Sequence, residues 1–135
     1  MSTLEPDAAV IGADQILVLG RALFEKPTTK ARAAADLERL SGRRHRLVSA
    51  VAVACQGRVR WSHVATARLT MRRLSRAEIA AYLDAAGPEV LGSVGAYQVE
   101  ALGIRLFERI DGDYFTVLGL PLLPLLGYLR RVGLG

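Results

Sequence analysis

Strands interleaved with helices, including one long hairpin, predict an α/β domain around a mixed sheet. Three observations carry that expectation. The apolar run "AAVIGADQILVLG", Ala8 to Gly20, reads as a strand buried on both faces, with Asp14 in its middle. "RLVSAVAVAC" and "RVRWSHVATARLTMR" flank a tight Gln56-Gly57 turn as the two arms of an antiparallel hairpin. Two stretches, one after Thr28 or Thr29 and one after Ser75, open with helix-capping residues.

Taken in chain order, the Asp14 strand is followed by "LGRALFEKP", a turn and a short extended piece that Pro27 ends. From the threonine cap, "KARAAADLERLS" sets Ala33, Leu37 and Leu40 on one helical face and stops at Gly42. The second hairpin arm alternates. Val59, Trp61, His63, Ala65, Ala67, Leu69 and Met71 share one side, and Arg58, Arg60 and Arg68 fall on the other, wet side. "SRAE", Ser75 to Glu78, is a capping box, and the helix it opens turns Ile79, Tyr82 and Leu83 inward before Gly87 and Pro88 end it. A glycine-rich turn region, "LGSVGAYQVEALG", leads to an expected strand "IRLFERI", a "DGD" turn, a strand "YFTVLG" and a proline-opened terminal helix.

The 135 residues suit one domain over 1–135, and a hydrophobic fraction of 51% argues against disorder. No uninterrupted apolar run approaches the roughly 18 residues of a spanning helix, because Asp14 interrupts the first and Pro121 and Pro124 cut the last. The opening "MSTLEPDAAV" lacks the basic start and apolar centre of a secretory signal, so no membrane partner and a cytoplasmic location are expected. A single cysteine, Cys55, excludes an internal disulfide and any multi-cysteine zinc site, and its setting is that of a small buried residue. The net charge is +5 and the basic residues are nearly all arginine, with lysine only at Lys26 and Lys30. Guanidinium forks suit phosphates, so anionic ligands are favoured.

Most chemical constellations are absent from the sequence. It has no phosphate-binding Gly-x-x-x-x-Gly-Lys loop and no dinucleotide glycine fingerprint. His45 and His63 stand apart from other ligands and read as surface or strand-packing residues. Glu108, Asp111 and Asp113 read as a solvated turn in preference to a cation site. Asp14 remains. An unpartnered buried carboxylate costs several kcal/mol, so Asp14 belongs at a strand end, as a turn residue, or against a functional site, and spacing alone leaves these open.

In order along the chain, "VIGADQ", "FEKP", "LERLSGRRH", "VGAYQVEALG" and "FERIDGDYFTVLGLPL" resemble the Maf family of septum-formation-type nucleotide pyrophosphatases, over Val10 to Leu126. The resemblance implies a twisted mixed sheet flanked by helices, an architecture similar to inosine triphosphatase, with a cleft. It implies hydrolysis of nucleoside triphosphates to monophosphate and pyrophosphate with a divalent cation of the Mg or Mn type. Asp14 matches the family's catalytic Asp and is the candidate metal ligand, and Lys26 matches its Lys before Pro. Glu100 stands where many members have Gln, and Glu followed by "ALGI" is similar to the branch associated with 7-methyl-GTP.

The sequence also departs from the family pattern. The family's opening strand, its Ser-x-Ser-Pro-Arg-Arg phosphate loop and a following acidic residue and lysine all precede the Asp strand, and none is in these 135 residues. About a third of the usual domain is therefore expected to be missing, leaving a sheet edge open along "VIGADQILVLG" and the chain prone to self-association as a homodimer. Gly92 and Ser93 stand where many relatives have Asp and Lys, and Gln15 replaces the commoner Thr. A second function class is a non-catalytic nucleotide or nucleic-acid binder on the same fold, using Arg58, Arg60 and Arg68. It ranks below the enzyme, because nucleic-acid surfaces interleave exposed aromatics with charge and Trp61 falls on the opposite face.

Overall fold

The computed structural model describes residues 9–133. Ala8 and most of "MSTLEPDAAV" lie outside the described residues. Five strands form one sheet in the order β2-β1-β3-β4-β5, with β1 at Ala9–Leu19, β2 at Ala22–Phe24, β3 at Arg44–Cys55, β4 at Arg58–Met71 and β5 at Phe107–Asp111. All four pairings are antiparallel, so the parallel part of the expected mixed sheet is not among the described residues. The α/β character holds, with helices α1 (Lys30–Leu40), α2 (Arg76–Ala86), α3 (Tyr114–Leu118) and α4 (Leu122–Arg131).

The helices begin where cap chemistry puts them. Thr29 accepts from the Arg32 N–H at the start of α1, and Ser75 and Glu78 form the reciprocal capping box of α2. Ala33, Leu37 and Leu40 of α1 are fully buried and pack with Leu17, Leu47, Leu69 and Met71 in the main core. A smaller core joins Leu125 and Tyr128 of α4 to Val51, Val53 and Cys55. Cys55 is thus a packing residue, and Trp61 stacks on Tyr128 with ring centroids 5.0 Å apart.

Both cores lie on one face of the sheet. The buried residues of β3 are every second one from His45 to Cys55, and those of β4 are Ala67, Leu69 and Met71. The other face carries Arg46, Val48, Ala50, Val64 and Arg68, exposed or half-buried. That one-sided covering corrects the expectation of a β1 strand buried on both faces: only Leu17 is buried there, while Val10 and Ile11 are 65% and 50% exposed. Over Ala9–Ile16 the strand pairs only with β3, so its second edge is open among the described residues.

Two further expectations change. "YFTVLG" is the short helix α3 rather than a strand, because the Asp113 carboxylate accepts from the Thr116 N–H at 3.0 Å and its O–H at 3.3 Å, and Gly119 ends the turn at φ 112°. Cap bonds at both ends outweigh the strand preference of Tyr, Phe, Thr and Val. Strand β5 begins at Phe107, since Leu102–Leu106 winds into a tight 3-10 turn whose Gly103 N–H bonds the Gln98 carbonyl oxygen at 3.0 Å.

Candidate active site

The three residues singled out from the sequence lie on one cleft of about 280 Å³. Asp14 comes from the open-edged part of β1, Lys26 from the loop after β2, and Glu100 from the irregular segment between α2 and β5. All three are exposed. Val117 and Gly119, at the end of α3, close the cleft on another side.

Local chemistry fixes each contributor. Strand alternation puts Gln15 on the covered side with Leu17 and Asp14 on the other, and the open edge lets both line the cleft. The Asp14 carboxylate accepts from the backbone N–H of Gln15 at 2.9 Å. Lys26 is followed by the buried Pro27 and then by Thr28, held at φ 60°, whose N–H bonds the Leu91 carbonyl oxygen at 3.1 Å. The lysine loop is thereby tied to the segment that leads into the Glu100 wall. Glu100 follows Gln98, whose carbonyl oxygen accepts from both the Ala101 and Gly103 N–H groups at 3.1 and 3.0 Å.

Gln15 was noted from the sequence only as a departure from the commoner Thr, and the contacts that it and its neighbours make were not foreseen. The Gln15 side-chain amide donates to Ser49 Oγ at 3.1 Å, the Thr116 carbonyl oxygen at 3.1 Å and that of Val117 at 2.9 Å, joining β1, β3 and α3. The Ser49 hydroxyl donates to the Thr116 carbonyl oxygen at 2.7 Å. Tyr97 lines the cleft, and its hydroxyl lies 2.7 Å from Nε2 of His45, which is 1% exposed. Burial pushes the His45 pKa down to about 4, leaving a neutral imidazole at neutral pH, and raises that of Tyr97 above the ordinary phenol value. The signal for His45 was available: it shares the alternation of Leu47 and Val51.

The acidic cluster near the C-terminal part of the chain separates. Asp111 pairs with Arg109 at 2.8 Å and Arg44 at 3.6 Å, while Asp113 caps α3. Among the described residues, no three His, Cys, Asp or Glu side chains gather closely enough to hold a metal by themselves. Two carboxylates, Asp14 and Glu100, line the cleft, and this is the hard oxygen donor set that a magnesium-type ion combines with substrate phosphates and water. No helix in the described residues is long and apolar enough to cross a membrane.

The sequence matches the Maf-like protein family model over residues 1–132. It is similar to a nucleoside triphosphate pyrophosphatase of Bradyrhizobium diazoefficiens, 59% identical over 96% of this chain and 64% of the relative. A nucleoside triphosphate pyrophosphatase of Rhodopseudomonas palustris is 55% identical over 99% of this chain and 66% of the relative. A 7-methyl-GTP pyrophosphatase of Rhizobium johnstonii is 55% identical over 98% of this chain and 67% of the relative. The chain thus spans about two thirds of the length of the curated relatives it matches, and 64% of the first. The match over nearly the whole chain, on a fold that brings "GAD", "KP" and the Glu100 segment to one cleft, settles the family: the chain belongs to the Maf family.

Proposed function

We propose that the chain acts as a nucleoside triphosphate pyrophosphatase, cleaving its substrate to a nucleoside monophosphate and pyrophosphate. One observation carries the reading: a carboxylate, an ammonium and a second carboxylate, from Asp14, Lys26 and Glu100, line the same cleft although 86 positions separate the first from the last. Relatives named nucleoside triphosphate pyrophosphatase and 7-methyl-GTP pyrophosphatase support the substrate class.

In this reading a water oxygen bonds to the α-phosphorus as the bond from that phosphorus to the bridging oxygen of the β-phosphate breaks. Asp14 orients the water and takes its proton, and pyrophosphate departs with the electron pair. Lys26 offsets the charge on the departing phosphates. Glu100 sits on the wall toward the base or the cation. A divalent ion of the Mg or Mn type would be held by Asp14, with Glu100 as the second oxygen donor, and would supply neutralisation of phosphate charge. The substrate class fits a cytoplasmic protein, and the open edge of β1 is where two copies would pair as a homodimer.

Pyrophosphate release from GTP, 7-methyl-GTP, dTTP and UTP, with and without Mg or Mn, tests the reading. Cation-dependent release that falls by about two to four orders of magnitude in Asp14→Asn is the expected result. Equal release by wild type and Asp14→Asn, or none of the four nucleotides being cleaved, overturns it.

A further inference from the structure

Half of the residues lining the cleft lie between Gly92 and Glu100, a segment with almost no regular structure. Its short 3-10 turn, Val94–Ala96, contains two successive residues in the left-handed region, Gly95 at φ 75° and Ala96 at φ 61°. An alanine rarely adopts that conformation unless its surroundings enforce it. Two hydroxyls supply the enforcement. Tyr82, on α2, donates to the Ala96 carbonyl oxygen at 2.9 Å, and the Tyr97 hydroxyl meets His45 Nε2 at 2.7 Å. Packing adds to both: Tyr97 stands edge-on to Phe107 at 4.8 Å, and a Cβ on Gly95 would come within 2.7 Å of Leu17 and of the Tyr97 ring.

The imidazole is the informative part. Its neighbours along the same face of β3 are Leu47, Ser49, Val51 and Val53; the Ser49 hydroxyl has its partners in Gln15 and the Thr116 carbonyl oxygen, whereas Nδ1 of His45 has none among the described residues. Burying a ring with one polar atom unpaired is unfavourable, so simple core filling is better served by an apolar side chain. What His45 adds over such a residue is the bond to Tyr97.

We infer that Tyr82, Tyr97 and His45 form a hydroxyl latch that holds the Gly92–Glu100 wall in its strained conformation and so positions Gln98 and Glu100 for the nucleotide. All three are positioning residues, and the inference rests on reading the cleft as the nucleotide site.

The test compares the wild-type 135-residue chain with Tyr97→Phe, Tyr82→Phe, His45→Leu and His45→Gln. The phenylalanines keep the rings and remove the hydroxyls, and glutamine offers a polar atom near the place of Nε2. Amide hydrogen exchange is read over 92–101 and over the β3–β4 hairpin, beside KM and kcat for GTP. The latch predicts exchange at least about tenfold faster over 92–101 with the hairpin unchanged, and KM raised about fivefold or more with kcat within about twofold. His45→Gln should recover most of both effects and His45→Leu neither. Tyr82→Phe, at a half-buried site, carries the same test should Tyr97→Phe not fold. Unchanged local exchange, or equal acceleration along the whole chain, overturns the latch. A wild type that cleaves no nucleotide refutes the pyrophosphatase reading alone, and the exchange comparison still decides the latch.

Discussion

The Gln15 side-chain amide donates to the Val117 carbonyl oxygen at 2.9 Å, so the residue next to Asp14 holds α3 against the sheet. The same nitrogen reaches the Thr116 carbonyl oxygen and Ser49 Oγ, so it meets three acceptors with two hydrogens, and Ser49 beneath it is fully buried. Without the amide the Thr116 carbonyl oxygen keeps the Ser49 hydroxyl and the Gly119 N–H, but the Val117 carbonyl oxygen loses this donor and keeps its desolvation cost.

Gln15→Ala should therefore destabilise the fold by about 1–3 kcal/mol. The loss should appear as a lower urea midpoint with an unaltered slope. A variant with the wild-type midpoint would show that water replaces the amide without cost.

Acid should weaken the fold through His45. The folded-state pKa is about 4, held down by burial, against about 6.5 for an ordinary imidazole. At neutral pH the ring is uncharged in both states. As pH falls below about 6.5 the unfolded chain binds a proton that the folded chain refuses, so unfolding is favoured until about pH 4, where both states are charged. The stability lost across that window is on the order of 3 kcal/mol. Urea midpoints from pH 7 to 4 should fall more steeply for wild type than for His45→Gln, which has nothing to titrate there. Parallel curves for the two proteins would remove His45 from the account.

Gly103→Ala addresses the support of the Glu100 wall from behind. A Cβ there would stand 2.4 Å from the Gln98 carbonyl oxygen and 2.7 Å from its carbon, and both are backbone atoms that cannot rotate away. The segment must shift or the turn must open, at about 1–3 kcal/mol. Thermal unfolding should register a lower Tm, and nucleotide affinity should drop with it because Gln98 lines the cleft. A variant with unchanged Tm and affinity would mean that the turn absorbs the methyl group.

Why some of this was legible in the sequence and some not follows from the range of the forces involved. The α1 and α2 helices and the β3–β4 hairpin were readable because caps, periodicity and a Gln-Gly turn act within a few residues. "YFTVLG" misled because the Asp113 cap bond decides α3, whereas residue preference points to a strand. Exposure of β1 was not readable either, since an apolar run specifies a strand without specifying how many of its faces find a cover. Among cleft residues, Asp14, Lys26 and Glu100 sit in recognisable local words. Gln15 and His45 act through partners 101 or 102 and 52 positions away, and such long-range pairs leave no local pattern.

If the cleft binds a nucleotide as proposed, Glu100 offers the sharpest test of how it would choose a base. Phosphate contacts such as that assigned to Lys26 are blind to the nucleobase, so discrimination falls to the few polar groups on the wall. A carboxylate presents only acceptors, which suits the N–H groups on a guanine edge, whereas glutamine of nearly the same shape adds donors that suit carbonyl oxygens such as those of uracil. Glu100→Gln should accordingly shift the ratio of kcat/KM for 7-methyl-GTP over UTP by about tenfold or more, with the dependence on Mg or Mn concentration unchanged. Identical ratios in both proteins would show that Glu100 does not read the base. Loss of turnover on every nucleotide, joined to a weaker cation response, would move Glu100 to the cation instead.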